Sequence, residues 1–219
     1  MTKPEPPPRS SPERLRLLDP LVIRGLLRRL RFANLLERFP ERPLWALFVL
    51  VNGFISICIM AAVGMLSHTP FVFPSLGPTA FLFFFTPQSP TASPRHTIYG
   101  HAIGILCGYF ALRIMGLSHA PSITAVGIND ERIFAAGLSL GLTGALMILF
   151  KAAHPPAGAT TLIISLGIVV RPLSLVVIEV AVVALTLQAI AMNRLAGLDY
   201  PLWAAREPKP PAGAGPFGG

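Results

Sequence analysis

Two stretches decide the fold: Pro74-Ser75-Leu76-Gly77-Pro78-Thr79 and Pro155-Pro156-Ala157-Gly158-Ala159-Thr160, both reading P-x-x-G-x-T. Each puts helix breakers into apolar sequence, because proline lacks the N–H of the helical ladder and glycine loses the most chain entropy on joining it. Each follows a long hydrophobic stretch, opens a shorter one (80–85 and 161–170) and is followed by another long one. A helix broken inside a membrane leaves backbone groups unpaired at depth, where they can hold an ion. A duplicated unit with a broken middle helix therefore points to a transporter.

Composition agrees with a membrane setting. Of 219 residues, 53% are hydrophobic and 13% charged, with a mean hydropathy of +0.62, against roughly 25% charged in a soluble domain. The expected class is an all-α polytopic membrane protein whose main partner is the lipid bilayer. Apolar stretches fill most of 44–193, which leaves no room for a second soluble domain. Cys58 and Cys107 lie in apolar sequence without a metal or redox spacing, which argues against a disulfide framework and a zinc site. No nucleophile–base pair or cofactor fingerprint occurs, so neither an enzyme nor a cofactor is expected.

The formal charge is +8, and Arg14, Arg16, Arg24, Arg28, Arg29, Arg31, Arg38 and Arg42 all precede the first long apolar stretch. By the positive-inside bias this places the N-terminus in the cytoplasm and the protein in the inner (plasma) membrane. No nucleic-acid motif accompanies these arginines, so nucleic acid is not an expected partner. About forty polar or mixed residues come before the first apolar run, unlike a secretory signal.

Three regions follow: a basic N-terminal region over 1–42, a membrane domain over 43–197 and a disordered tail over 198–219. Within the first, Leu15, Leu18, Val22, Leu26, Leu30 and Ala33 fall at helical spacing between arginines, as in a helix over 13–39 lying on a membrane surface. Stretches 44–66, 97–115, 131–150 and 173–192 have about the 20 residues needed to span a bilayer core of about 30 Å. The broken segments cover 71–85 and 154–170. A helix from near Gly77 to near Thr86 would rise about 15 Å, half the core. The expected architecture is two tandem helix–broken helix–helix repeats, with about six embedded segments and at least four full spans. The loop 87–96 has turn chemistry throughout and reads as a surface loop. Gly137, Gly141 and Gly144 have spacings that allow a neighbouring helix to approach, within this chain or in a homo-oligomer.

An offset of 81 residues carries Pro74 onto Pro155, 44–66 onto the fourth apolar stretch and 97–115 onto the last. Three segments in matching order indicate an internal duplication. Three crossings per unit would invert the second copy, whereas two crossings and a re-entrant loop would leave both copies the same way up. The basic residues do not decide between them; midplane sites in transporters favour the inverted form.

His154-Pro155-Pro156-Ala157-Gly158-Ala159-Thr160 resembles the signature of the HPP family of integral membrane proteins. Phe73-Pro74-Ser75-Leu76-Gly77-Pro78-Thr79-Ala80, Ser89-Pro90, Pro94-Arg95 and Gly100-His101 look like that family's other blocks, in order, over roughly 43–193. His96 departs from the pattern, which has an amide residue after the arginine. The resemblance implies four membrane helices, and nitrite transport by association with plant plastid and cyanobacterial relatives.

The motifs suit a small inorganic anion. A helix N-terminus presents free N–H groups and about half a positive charge. Gly77 and Gly158 would admit the anion to the backbone, with Ser75, Thr79 and Thr160 hydroxyls and His154 beside it as substrate-binding groups. Arg95, His101 and Glu179 are the candidates along a pathway or gate, while no metal-binding or catalytic residue is proposed. Each has a plainer alternative: the motif as a kink, the histidines as packed residues, the arginine as a lipid anchor, Glu179 as a hydrogen-bonding partner of a neighbouring helix. A non-transporting membrane scaffold or regulatory protein is the alternative to transport.

Overall fold

The structure, a computed structural model, describes residues 32–69 and 71–205. Its helices in chain order are α1 Phe32–Leu36, α2 Glu41–Ser67, α3 Leu76–Phe85, α4 Pro94–Ile114, α5 Ile123–Val126, α6 Asp130–Leu149, α7 Ala157–Ser165 and α8 Pro172–Leu195. The surface helix read over 13–39 lies outside the described residues except at its end, which forms α1. Four helices, α2, α4, α6 and α8, are long and apolar enough to cross a membrane. The half-helices α3 and α7 occupy the two broken segments.

Local chemistry explains these limits. Pro94 and Pro172 open α4 and α8 in the first turn, where a missing N–H costs no helical bond. Asn129 caps α6 by accepting the Arg132 N–H at 3.1 Å, and Asp130 and Glu131 suit the positive end that follows. At the other end of α2, His68 turns left-handed at φ 52° and stops the helix. Asn52 bonds only the Phe48 carbonyl of its own helix, whereas Gln188 reaches across from α8 to the Ser56 hydroxyl of α2 at 3.1 Å.

Contacts along the long helices fix the direction of each broken segment. A Cβ on Gly64, near the end of α2, would stand 3.2 Å from the Phe71 nitrogen. At the start of α2, the Trp45 indole N–H donates to the Phe85 carbonyl at 3.3 Å. Gly64 and Trp45 are about 28 Å apart along a helix, so 71–85 traverses nearly a full hydrocarbon core. The second segment repeats this. Arg95, at the start of α4, donates to the carbonyls of Phe150 and Lys151 at the end of α6. Arg132, near the start of α6, donates to the Ser165 carbonyl at the end of α7. Each broken segment thus completes a crossing as an extended piece plus a half-helix. Re-entry from one side does not fit, because the two ends of each segment lie at opposite ends of the adjacent long helix.

Three passes per unit turn the second unit upside down, and the packing repeats under that inversion. α2 packs on α3 as α6 packs on α7; α4 packs on α7 and α6 as α8 packs on α3 and α2; α4 and α8 meet in the middle. Each unit closes its last helix over the broken segment of the other.

The second broken segment comes close to α4 at Gly100, Gly104 and Gly108, which share one face of that helix. Added Cβ atoms there would stand 2.6 Å from the His154 Cβ, 2.7 Å from the Ala157 carbonyl oxygen and 2.7 Å from the Thr161 carbonyl oxygen. Gly137, Gly141 and Gly144, whose spacing would admit a neighbouring helix of this chain or of a second copy, have no other segment of the described residues within 4 Å of their Cβ positions. α6 turns Arg132, Ala135, Ser139, Thr143 and Met147 inward instead. Leu50, Phe54, Met65, Leu66, Ile148 and Leu173 are each more than two-thirds exposed, an apolar belt that the bilayer covers.

Two regions read as loop and tail are packed. Ala92 and Ser93 are buried, and Tyr200 covers them with its hydroxyl donating to the Ala92 carbonyl at 2.6 Å. The Arg95 N–H donates to the Trp203 carbonyl at 2.9 Å, and the Trp203 ring stands edge-on to Tyr99. Aromatic area with a satisfied polar tip offsets the chain entropy that turn-rich composition would otherwise keep. Burial raises the pKa of the Tyr200 phenol, so its hydroxyl stays a donor.

Gly104→Ala should lower the thermal unfolding midpoint in detergent, with overpacking against backbone costing about 1–3 kcal/mol. Gly141→Ala should leave the midpoint unchanged or raise it, since the added methyl meets open space and helix propensity improves. Equal midpoints for the two variants would contradict the close α4–α7 approach.

Candidate functional site

Thr79 and Thr160 are each the fourth residue of their half-helix, so the repeated motif sets both hydroxyls in a first helical turn. Both reach the same imidazole. His101 Nε2 is 2.9 Å from the Thr79 Oγ1, and His101 Nδ1 is 2.7 Å from the Thr160 Oγ1. His101 lies seven residues into α4, about 10 Å from its start. The half-helices therefore begin near mid-depth and run apart, α3 toward the start of α4 and α7 toward its end.

His154 joins the group from the residue before the second motif. Its Nε2 is 3.3 Å from the Thr79 Oγ1, its Nδ1 donates to the Thr91 carbonyl at 2.8 Å, and the Thr97 hydroxyl is 3.4 Å away. The two imidazole centroids are 4.9 Å apart. Gly100 makes this possible, since any Cβ there would collide with His154. Thr79, His101, His154 and Thr160 have 0% exposure. Thr79 also donates to the carbonyl of Ser75, one helical turn back, at 2.9 Å.

The candidate residues divide into those that meet and those that do not. Thr79, His101, His154 and Thr160 form one network, and Ser75 lies at its edge, buried, with its hydroxyl oxygen unpaired. Gly77 and Gly158 do not converge. Gly77 lies on the outer surface with open space around it, and Gly158 faces the Leu140 side chain. The motif side chains that turn inward are the threonines, two positions further along each helix. Arg95 is a structural clamp, bonding the last carbonyls of α6 at 2.7 and 3.2 Å and resting over the Tyr99 ring. Glu179 is outside the network; its carboxylate oxygens are buried in α8 without a hydrogen-bond partner. Among the described residues no group of three or more His, Cys, Asp or Glu could hold a metal ion.

Thr91 and Thr97 were not singled out from sequence, and Gly100 entered only as part of the Gly100-His101 block, with no role given to it. Thr97 stands one helical turn before His101 on α4, a spacing that signals a shared face. Thr91 contributes only a backbone carbonyl, which no side-chain pattern reveals.

The HPP transmembrane region family matches residues 40–201. The chain belongs to that family. Two transmembrane proteins of Dictyostelium discoideum are similar to it. One is 31% identical over 117 residues, 52% of this chain and 34% of that protein. The other is 29% identical over 134 residues, 59% of this chain and 44% of that protein. This HPP protein therefore matches less than half the length of either relative. No solved structure matches it. The family region contains both motifs and every residue of the histidine–threonine network.

Thr160→Val should leave the His101 Nδ1 facing a methyl group and lower stability by about 1–3 kcal/mol, the usual cost of an unpaired buried polar atom. Thermal unfolding in detergent checks this; a midpoint equal to wild type would show that the Thr160 bond is not made.

Proposed function

We propose that this HPP protein carries a small inorganic anion across the membrane, nitrite being the first candidate, through a site between the half-helix starts. The observation that carries the reading is that two inverted half-helices begin at mid-depth with Thr79 and Thr160 on one histidine. Inverted repeats with broken helices are a recurring plan of secondary transporters, and paired helix N-termini suit negative charge without a fixed buried cation. The Thr79 and Thr160 hydroxyls, the His101 ring and the unpaired Ser75 hydroxyl supply the donors. In the closed arrangement they bond one another; rocking of one unit against the other would free them for the anion. The reaction is translocation, with no covalent step and no cofactor.

Arg38, Arg42, Arg95, Lys151 and Arg194 lie toward the α2-start side, against Arg113, Arg132 and Arg171 toward the other. This supports an inner-membrane protein with the N-terminus in the cytoplasm. A cysteine at Thr124, in a background with Cys58 replaced by serine, should then react with an impermeant maleimide added outside intact cells.

The complete burial of the network favours one competing reading, a membrane scaffold that moves nothing. Purified protein in liposomes decides between them. Uptake of nitrite, nitrate, chloride or formate above that of empty liposomes is expected, and Thr79→Val should reduce it at least tenfold, equivalent to about 1.4 kcal/mol. No flux of any of the four would sink the transport reading.

A further inference from the structure

Hydrogen counting at the Thr79–His154 contact leaves room for one more proton, and we propose that the protein moves a proton together with its anion, held on the His154–Thr79–His101 chain. This rests on the transport reading above.

The count starts at Thr91, whose carbonyl only accepts, so the His154 Nδ1 at 2.8 Å carries a hydrogen. In a neutral ring the Nε2 of His154 is then bare. It faces the Thr79 oxygen at 3.3 Å, and the single Thr79 hydrogen has the Ser75 carbonyl at 2.9 Å and both rings to choose from. When it points to Ser75, two acceptors face each other in a fully buried place. A proton on the His154 Nε2 turns this into a donor–acceptor pair. The Thr79 oxygen then accepts from both rings, Thr160 donates to the His101 Nδ1, and the bonding capacity of the cluster is used.

The same contacts give the proton a second seat. With His101 donating from Nδ1 to Thr160, its Nε2 is bare and Thr79 bridges the rings. The His154 Nε2 gives its proton to the Thr79 oxygen as Thr79 gives its own hydrogen to the His101 Nε2. One imidazolium disappears, the other forms, and Thr79 is restored.

The surroundings tie this proton to an anion. Facing His154 are His101 and, further off, His96, both on α4. The half-helices α3 and α7 carry no titratable residue, and no carboxylate in the described residues bonds either ring. A buried cation beside two positive helix ends lacks a counter-charge, and the substrate supplies it. Proton and anion therefore bind better together than apart, by the reciprocity of coupled sites. For a monovalent anion the loaded site adds no net charge, so transport is electroneutral.

The test uses the full chain in liposomes with a pH dye inside, subtracting empty liposomes for passive nitrous acid. An inward proton gradient should speed nitrite uptake several-fold, with one proton entering per nitrite, while an imposed membrane potential should have no effect. Nitrite uptake indifferent to the gradient and driven by the potential would overturn the coupling and leave the transport reading standing. No flux of nitrite, nitrate, chloride or formate would overturn both. His154→Gln retains a donor for Thr91 but cannot take the added proton, so its remaining uptake should lose gradient dependence; retained dependence would overturn the assignment to His154. Should that variant fail to fold, ring-nitrogen NMR of 15N-histidine-labelled wild type decides. Saturating nitrite should convert one neutral buried ring to the doubly protonated form, and nitrite binding with both rings neutral would overturn the proposal.

Discussion

The rest of the structure depends on the absence of side chains along one face of α4. Gly100, Gly104 and Gly108 let the second broken segment lie against that helix with its backbone where a methyl group would otherwise be. Irregular backbone is tolerated at membrane depth only where protein or water covers it. α4 supplies that cover, and the same closeness brings His154 level with His101 and Thr160 onto its Nδ1. The glycine face is thus a condition of the polar centre as much as of the packing.

Inversion makes the two units alike in backbone, but their chemistry has diverged. The repeat offset pairs Thr79 with Thr160 and Gly77 with Gly158, yet it pairs His154 with Phe73 and His101 with Val182. Phe73 and Val182 are buried among apolar neighbours. One unit therefore contributes a threonine and the central histidine of α4, the other a threonine and the histidine ahead of its break. A duplicated scaffold that kept both threonines and a single set of histidines has one polar centre on its pseudo-symmetry axis, not two.

The breaks, the half-helix starts and the four long spans were legible because proline and glycine act locally and a bilayer demands length. The inverted relation was not fixed by sequence, since it depends on where each segment ends relative to a distant helix, as Trp45 with Phe85 and Arg132 with Ser165 show. The outward position of Gly77 and the Leu140 contact of Gly158 were hidden for a related reason. A motif tells which residues break a helix but not which face turns inward, and here the first-turn threonines do. The order around Tyr200 and Ala92 was hidden because turn-rich composition describes the chain's local freedom and not the aromatic residue that arrives from the other end of the sequence.

The placement of the fixed cations bears on the sign of the proposed substrate. Arg95 is spent on the last carbonyls of α6, and Arg132 on the Ser165 carbonyl at the end of α7 together with Pro121 and Ala120. Both guanidinium groups thus offset the negative ends of helices. At the positive ends of α3 and α7 the N–H groups meet only turn carbonyls of the preceding residues, and among the described residues no carboxylate bonds into the network they border. A cation entering there would meet two like-signed helix ends, whereas an anion would be attracted by both. The electrostatic asymmetry therefore comes from where the arginines are used, and it supports an anion independently of the family resemblance.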